Sequence, residues 1–213
     1  MLRLRGNVVD TSRPAIKTGV VANPVLAVPA GAAKKSSAQR ARDSVSLVVT
    51  ALEAARVEVN YSVREDGSEV VQIHVMGGAT LPPNRVMNIG REQSKLSQRS
   101  FSRYKHACAN RMRDASLLLQ AKIVQSGRRR FNETFEQVQI AYVRQVSNKA
   151  RLIDEDAVAY SFKYVLDGLV KAGVLVDDSH RHIRMGAAEQ RVGAECLLVI
   201  ELVATSKSSK EMS

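Results

Sequence analysis

Between Ser94 and Gln125 the apolar side chains recur at the spacing of an α-helix. Successive apolar positions are separated by 3, 4, 4, 3, 4 and 4 residues: Phe101, Tyr104, Cys108, Met112, Ala115, Leu119 and Ile123. This spacing predicts one long helix with a single apolar face. Because a helix buries such a face only against another layer of structure, the rest of the chain must supply a sheet or further helices.

Alternating apolar residues on both sides of a turn predict a β-hairpin. The alternating positions are Val57, Val59, Tyr61 and Val63, then Val71, Ile73 and Val75, and the turn sequence Glu-Asp-Gly-Ser lies between them at 65–68. We also expect a strand from Val138 to about Val146, one or two final strands around Ile183 and 196–203, and helices at 38–55 and 154–172. The predicted fold is α/β (α+β): a small mixed β-sheet with two main helices, plus an N-terminal arm and helix.

Positive charge is concentrated in two parts of the chain. The net charge is +11, and residues 85–130 hold twelve Lys and Arg against two acids, while residues 1–44 hold eight against two. Because the whole chain carries less charge than these two segments together, the remainder is acidic. Basic segments beside an acidic remainder suit a nuclease, since phosphates need cations and metal ions need carboxylates. A ribosomal-type or simply soluble basic protein fits the charge equally well.

Several classes of site are disfavoured by the sequence. The two cysteines are far apart and have no CxxC or histidine pair nearby, which predicts reduced core residues rather than zinc or disulfides. The longest apolar run, Cys196 to Ile200, is too short to span a membrane. Gly77-Gly78 is not followed by the Lys-Ser/Thr of a nucleotide-binding loop, so we expect no small-molecule cofactor. His180 and His182 are expected to bind no metal.

Acidic residues cluster in two segments of the C-terminal half. Asp154 and Asp156 are two apart, so in an extended approach to a helix both carboxylates lie on one side, with Glu155 pointing away. Asp177 and Asp178 are adjacent, so only one of them can face the same ion. Carboxylates converging from two segments are the ligands that Mg²⁺ prefers.

Lys163 follows Asp156 by seven residues, which in a continuous helix is within ~20° of two full turns. Lys163 is therefore expected on the same face, where its ammonium can contact a scissile phosphate. Asp167 lies four residues further, at the spacing of an ordinary surface ion pair with Lys163.

The segment 163–179, with its Lys, its Asp-x-Leu helix, its Gly and an apolar triplet before Asp-Asp, resembles the RusA-like Holliday junction resolvases. Residues 154–156 are similar to that family's Asp-x-Asp, and Leu-Pro-Pro-Asn at 81–84 resembles its Pro-Pro loop. The likeness covers roughly 69–204, and its strong part is 154–179.

The resemblance implies a small mixed α/β domain that works as a homodimer and cuts branched DNA symmetrically. It implies Mg²⁺, or Mn²⁺, as the metal, with Asp154, Asp156 and Asp178 as catalytic metal ligands and Lys163 as the essential lysine. Ala157 stands where the family has Asn, and Lys163 lies three residues later than in well-known members. A non-catalytic DNA-binding protein derived from a resolvase is the alternative that this departure keeps open.

The expected partner is a four-way DNA junction whose phosphates contact six arginines: Arg99, Arg103, Arg113, Arg128, Arg129 and Arg130. We expect a flexible basic arm at 1–44, an endonuclease domain at 45–204 with its core at 69–204, and a polar tail at 205–213. The expected location is the cytoplasm of a bacterial or phage-infected cell, near the nucleoid.

Overall fold

The computed structural model describes residues 37–81, 95–128, 131 and 137–204. The helices are α1 (Ser37–Ala54), α2 (Lys95–Gln125), α3 (Glu155–Ser161) and α4 (Lys163–Lys171), with a 3-10 turn at Lys149–Arg151. The strands are β1 (Arg56–Val63), β2 (Glu69–Met76), β3 (Val138–Val146), β4 (Ile183–Val192) and β5 (Leu197–Ala204). The chain is therefore a mixed α/β protein, as the sequence predicts.

The strands form one mixed sheet in the order β1-β2-β5-β3-β4. β1 and β2 are the predicted hairpin, and β5 lies between β2 and β3, antiparallel to both. β3 and β4 are parallel, with Val138 opposite Ile183 and Val146 opposite Val192. Parallel neighbours need a crossover connection, which α3 and α4 supply. The segments before α3 and after α4 therefore belong to opposite ends of these two strands.

The buried positions of the central strands are mainly apolar and form the core. Val71, Ile73, Ile140, Ile200 and Leu202 are fully buried. The predicted stripe of α2 packs onto this core, with every member from Tyr104 to Ile123 buried and Phe101 partly buried. The long helix and its apolar face are thus confirmed.

A close approach holds α4 against α2. A Cβ built at Gly168 would lie 2.9 Å from Cγ of Met112, so a larger residue at 168 would force the helices apart. Ser116 of α2 also donates a hydrogen bond of 2.9 Å to the carbonyl of Ala172, directly after α4. These contacts fix the crossover on the face of the sheet that α2 covers.

Two predictions on chain organisation need correction. The single helix predicted at 154–172 is two helices, because it is interrupted at Phe162, whose ring stacks on Tyr142 at 3.9 Å. The predicted boundary after residue 44 lies inside α1. Residues 1–36 and 205–213 lie outside the described residues. Cys108 is a buried free thiol as expected, whereas Cys196 is only partly buried. No helix in the described part of the chain is long and apolar enough to cross a membrane.

An ion pair with a buried carboxylate connects the end of α2 to the hairpin. The side chain of Glu69 is only 1% exposed, and Arg128, three residues past α2, donates a hydrogen bond to its carboxylate. A carboxylate in such a position is costly unless it is paired. Arg128 therefore has a structural partner, and its presence at this position can be explained without the predicted role in phosphate binding.

Replacing Arg128 with Met is expected to lower the free energy of unfolding by about 3 kcal/mol, because it removes a cation that pairs with the buried carboxylate of Glu69. Arg103→Met is the matched control: Arg103 pairs with Glu53 at 2.6 Å, but both side chains are more than 40% exposed, so a loss of at most about 1 kcal/mol is expected. Urea denaturation of both variants measures the difference. Equal losses would contradict the structural role of Arg128.

Candidate active site

The first acidic segment follows β3 and is held in place by β4. Gln190 of β4 makes two hydrogen bonds to Ile153: its side-chain oxygen accepts from the backbone N–H at 3.1 Å, and its amide donates to the carbonyl. The next residue, Asp154, is exposed and stands at the N-cap position of α3. Its carboxylate makes no capping hydrogen bond. That carboxylate is therefore not committed to the helix and faces solvent, where a ligand can reach it.

The prediction that Asp156 lies on the same side as Asp154 requires an extended backbone, but Asp156 lies in a helix. Asp154 is extended, with φ −58° and ψ 142°, but α3 begins immediately at Glu155. Residues two apart in a helix are rotated by about 200°, so strand-like alternation does not place Asp154 and Asp156 on one side. The backbone of Asp156 belongs to the first turn of α3, while its side chain lies outside the described residues.

The second acidic segment leads from α4 into β4. The carboxylate of Asp177 accepts a hydrogen bond of 2.7 Å from the backbone N–H of Asp178. Hydrogen bonding to Ser179 and to that N–H holds the pKa of Asp177 below its usual value. Asp177 is thus engaged in its own turn, and Asp178 is the residue of the pair that is available to a ligand.

Asp178 lines an open cavity of about 480 Å³, formed with Gln137, His180, Ile183, Arg184 and Met185. The turn that carries it is fixed at the start of β3 and β4. The carbonyl of Ser179 accepts from the backbone N–H groups of His182 and Ile183, and the side chain of Gln137 donates to the carbonyl of His180. The cavity combines a carboxylate, an arginine and an amide on a partly apolar floor.

One chain holds the two acidic segments at opposite ends of β4. Asp154 is anchored through Gln190, and Asp178 through Ile183, which is seven residues earlier on the strand. At ~3.3 Å per residue these anchor points are roughly 23 Å apart. Among the side chains that the structure describes, which exclude that of Asp156, no group of three His, Cys, Asp or Glu lies together as a metal site. In one chain the two acidic segments therefore lie at opposite ends of β4 instead of forming one cluster.

Lys163 begins α4, on the far side of the interruption at Phe162. The predicted position of Lys163 on the face of Asp156 requires a continuous helix, and it is wrong because α3 and α4 are separate helices. Its ammonium lies 3.6 Å from the carboxylate of Asp167. This is the ion pair that the spacing of four residues predicts, and with Lys163 63% exposed it is a weak one. The ammonium of Lys163 is therefore accessible to solvent despite the pair.

Some of the arginines on α2 form ion pairs within the chain, and others do not. Arg99 and Arg113 are exposed, and neither forms an ion pair with any other residue in the described parts of the chain. Arg103 is held by both carboxylate oxygens of Glu53 in α1. The predicted phosphate contacts of Arg129 and Arg130 lie outside the described residues. Of the six predicted arginines, Arg99 and Arg113 remain the best candidates for phosphate contacts.

Sequence reasoning missed a buried arginine close to the first acidic segment. Arg144 of β3 is 3% exposed, and its guanidinium donates to the carbonyls of Thr80 and Arg151. Burial lowers the pKa of its guanidinium from the usual value. The signal was present in the sequence: Arg144 occupies the inward phase of the alternation that includes Tyr142 and Val146. An arginine in an apolar phase marks a position with a specific internal role.

No model of a known protein family matches this sequence, and no curated protein matches it.

Proposed function

We propose that this protein is a metal-dependent endonuclease that cuts branched DNA, with Asp154, Asp156 and Asp178 as its acidic ligands. The observation that carries the proposal is the pair of solvent-accessible carboxylates at the two ends of the β3–β4 crossover. Asp154 is uncapped and Asp178 lines an open cavity, and neither is neutralised by an ion pair to a described side chain. Exposed acids on a chain of net charge +11 suit a site where cations meet phosphates.

The donor set fits a hard cation. Carboxylate oxygens are what Mg²⁺ and Mn²⁺ prefer, and a site with few protein ligands leaves room for water and phosphate. Such a metal supplies an activated water and stabilises the charge on the leaving oxygen. The residues of the chain have separate tasks: the acids hold the ion, and Lys163 neutralises the phosphate by leaving Asp167.

Because one chain separates its two acidic ends, we infer that a complete site takes acids from two copies. β4 is an edge strand of the described sheet, so no other described strand pairs with its outer side, and such an edge can pair with another chain. Antiparallel pairing of two β4 edges puts the start of one strand beside the end of the other. Asp178 of one copy then lies near Asp154 and Asp156 of the second copy, and a two-fold dimer contains two such sites. Two sites match a function that cuts two strands symmetrically.

The phosphate backbone is proposed to lie along the exposed stripe of α2. Arg99, His106, Asn110 and Arg113 are separated by seven, four and three residues, which keeps them on one face of the helix, and all four are exposed. These side chains contact phosphates without reading bases, which suits recognition of DNA shape. The proposed setting is the cytoplasm of a bacterial or phage-infected cell, where branched DNA arises during recombination.

Neutralising Arg99 or Arg113 with Gln is expected to weaken junction binding and to lower the slope of log K against log salt by about one for each residue. Arg103→Gln is the control of equal charge change on the same helix. Because Arg103 is already paired with Glu53, its effect on the slope is expected to be less than half as large. Fluorescence anisotropy across a salt series measures all three. An equal effect of all three variants would argue against a defined phosphate track.

Cleavage of a labelled four-way junction tests the proposed function. With Mg²⁺ we expect paired nicks near the branch point, no cleavage in EDTA, and far slower cutting of a linear duplex built from the same arms. Tight junction binding without metal-dependent cutting would overturn the endonuclease proposal. It would favour the second candidate, a DNA-binding protein that has lost cleavage, for which Ala157 in place of the family's Asn is the supporting feature.

A further inference from the structure

A buried polar network surrounds the short helix that carries the first acidic segment. Its centre is Arg144, whose Nη1 donates to the carbonyl of Arg151 at 3.0 Å and whose Nη2 donates to the carbonyl of Thr80 at 3.3 Å. Arg151 lies three residues before Asp154, and Thr80 lies in the loop after β2. No described carboxylate pairs with Arg144, so these carbonyls are what compensates its burial.

The same network reaches the other end of α3 through Thr80. The hydroxyl of Thr80 lies 3.0 Å from that of Ser161, the last residue of α3, and both side chains are buried. Ser161 donates in turn to the carbonyl of Val158 at 2.7 Å, and the hydroxyl of Tyr142 donates to the same carbonyl. Thr80 therefore links Arg144, at the start of the acidic segment, to the end of the helix.

α3 needs such support because it is only seven residues long. A helix of this length is not stable alone, so tertiary contacts must set its position. Among its anchors, hydrogen bonds are more directional than apolar packing, and a buried polar group left unpaired is costly. Loss of one member is therefore expected to shift or loosen α3 rather than to leave it in place.

We propose that Arg144 and Thr80 are positioning residues for the acidic helix: they hold Asp154 and Asp156 in the geometry that cleavage requires. The inference rests on the proposed endonuclease function and assigns to it two residues that touch neither metal nor DNA. Both act on one end of the proposed site, and neither belongs to the exposed stripe of α2 that is proposed to bind phosphate. Their loss should thus affect turnover rather than DNA binding.

The test compares Thr80→Val, which removes the hydroxyl but keeps the shape, with Thr80→Ser, which keeps the hydroxyl. On the Mg²⁺-loaded full-length protein, Thr80→Val and Arg144→Lys are expected to lower kcat for junction cleavage by about 10- to 100-fold, with KM within about twofold. Thr80→Ser is expected to stay within about threefold of the wild type in both constants. Circular dichroism melts confirm that each variant is folded. Folded Thr80→Val and Arg144→Lys proteins with wild-type kcat would overturn the proposal.

Hydrogen exchange separates failure of this inference from failure of the proposed function. In Thr80→Val, but not in Thr80→Ser, the backbone amides of Glu155–Ser161 are expected to exchange at least about tenfold faster, with no change in the centre of α2. This readout needs no cleavage, so it decides the positioning role even if the wild type cuts nothing. Unchanged exchange in Thr80→Val and Arg144→Lys would overturn the inference.

Discussion

Asp154→Asn and Asp178→Asn are each expected to lower the rate of junction cleavage by at least about 10³-fold while leaving junction binding within about threefold. The amide keeps the shape of the side chain but loses the charge that holds a hard cation, and the stabilisation of transition-state charge by the metal is worth several kcal/mol. Both side chains are exposed, so their neutralisation does not threaten the fold.

Glu155→Gln is the matched control for these variants. Glu155 is an exposed acid directly beside Asp154, and the substitution removes the same charge from the same turn of α3. Cleavage within about twofold of the wild type is expected. A similar loss of cleavage in Glu155→Gln would mean that the overall negative charge of the turn, rather than a defined metal ligand, explains the effect.

Mixing the Asp154→Asn and Asp178→Asn proteins is expected to restore cleavage. If each site takes Asp154 from one chain and Asp178 from the other, a mixed dimer has one doubly altered site and one intact site. After full subunit exchange at equal amounts, about a quarter of all sites are intact. The restored activity should appear as single nicks rather than paired cuts, which denaturing gels of a junction labelled on each strand distinguish.

The control mixture combines Asp154→Asn with Asp156→Asn. Both substitutions fall on the same end of the chain, so every site in the mixed dimer is defective and no cleavage should return. Exchange is verified by co-purification of differently tagged chains. Failure of the first mixture to recover activity, with exchange verified, would contradict a site shared between copies.

The parts of the fold that the sequence predicted are those dictated by local pattern. α2 follows from a stripe of seven apolar positions, and the hairpin follows from alternation on both sides of a turn at Gly67, which has φ of 80°. Each of these patterns depends on neighbouring residues alone. The order of the strands was not predictable in the same way, because β5 inserts between β2 and β3 only through contacts distant in sequence.

The interruption between α3 and α4 shows what local pattern cannot supply. The segment 154–172 contains no proline, and its periodicity is that of one helix. The break follows from tertiary contacts: Phe162 stacks on Tyr142, and Ser161 meets Thr80, which is 81 residues away. Because the predicted position of Lys163 depended on a continuous helix, that prediction failed with it.

The sequence indicated which residue types form the candidate site, but not which side chains pair with each other. Exposed acids and arginines were identified from spacing and charge, yet Arg103 and Arg128 pair with Glu53 and Glu69, which are 50 and 59 residues away. Arg144 is the opposite case. The alternation of apolar residues in β3 indicates that its side chain is buried, but its carbonyl partners could not be predicted from the sequence. Long-range pairing therefore decides which arginines pair within the chain and which remain exposed.

Junction cleavage by the wild type beside Asp156→Asn, with Mg²⁺ for activity and Ca²⁺ for binding, tests whether the acidic residues form a metal-dependent cleavage site. The variant removes the carboxylate of Asp156 and leaves Asp154 and Asp178 unchanged. We expect paired nicks by the wild type that vanish in the variant, with junction affinity unchanged. A wild type that binds the junction and never cuts it, or a variant that cuts as fast as the wild type, would contradict this expectation.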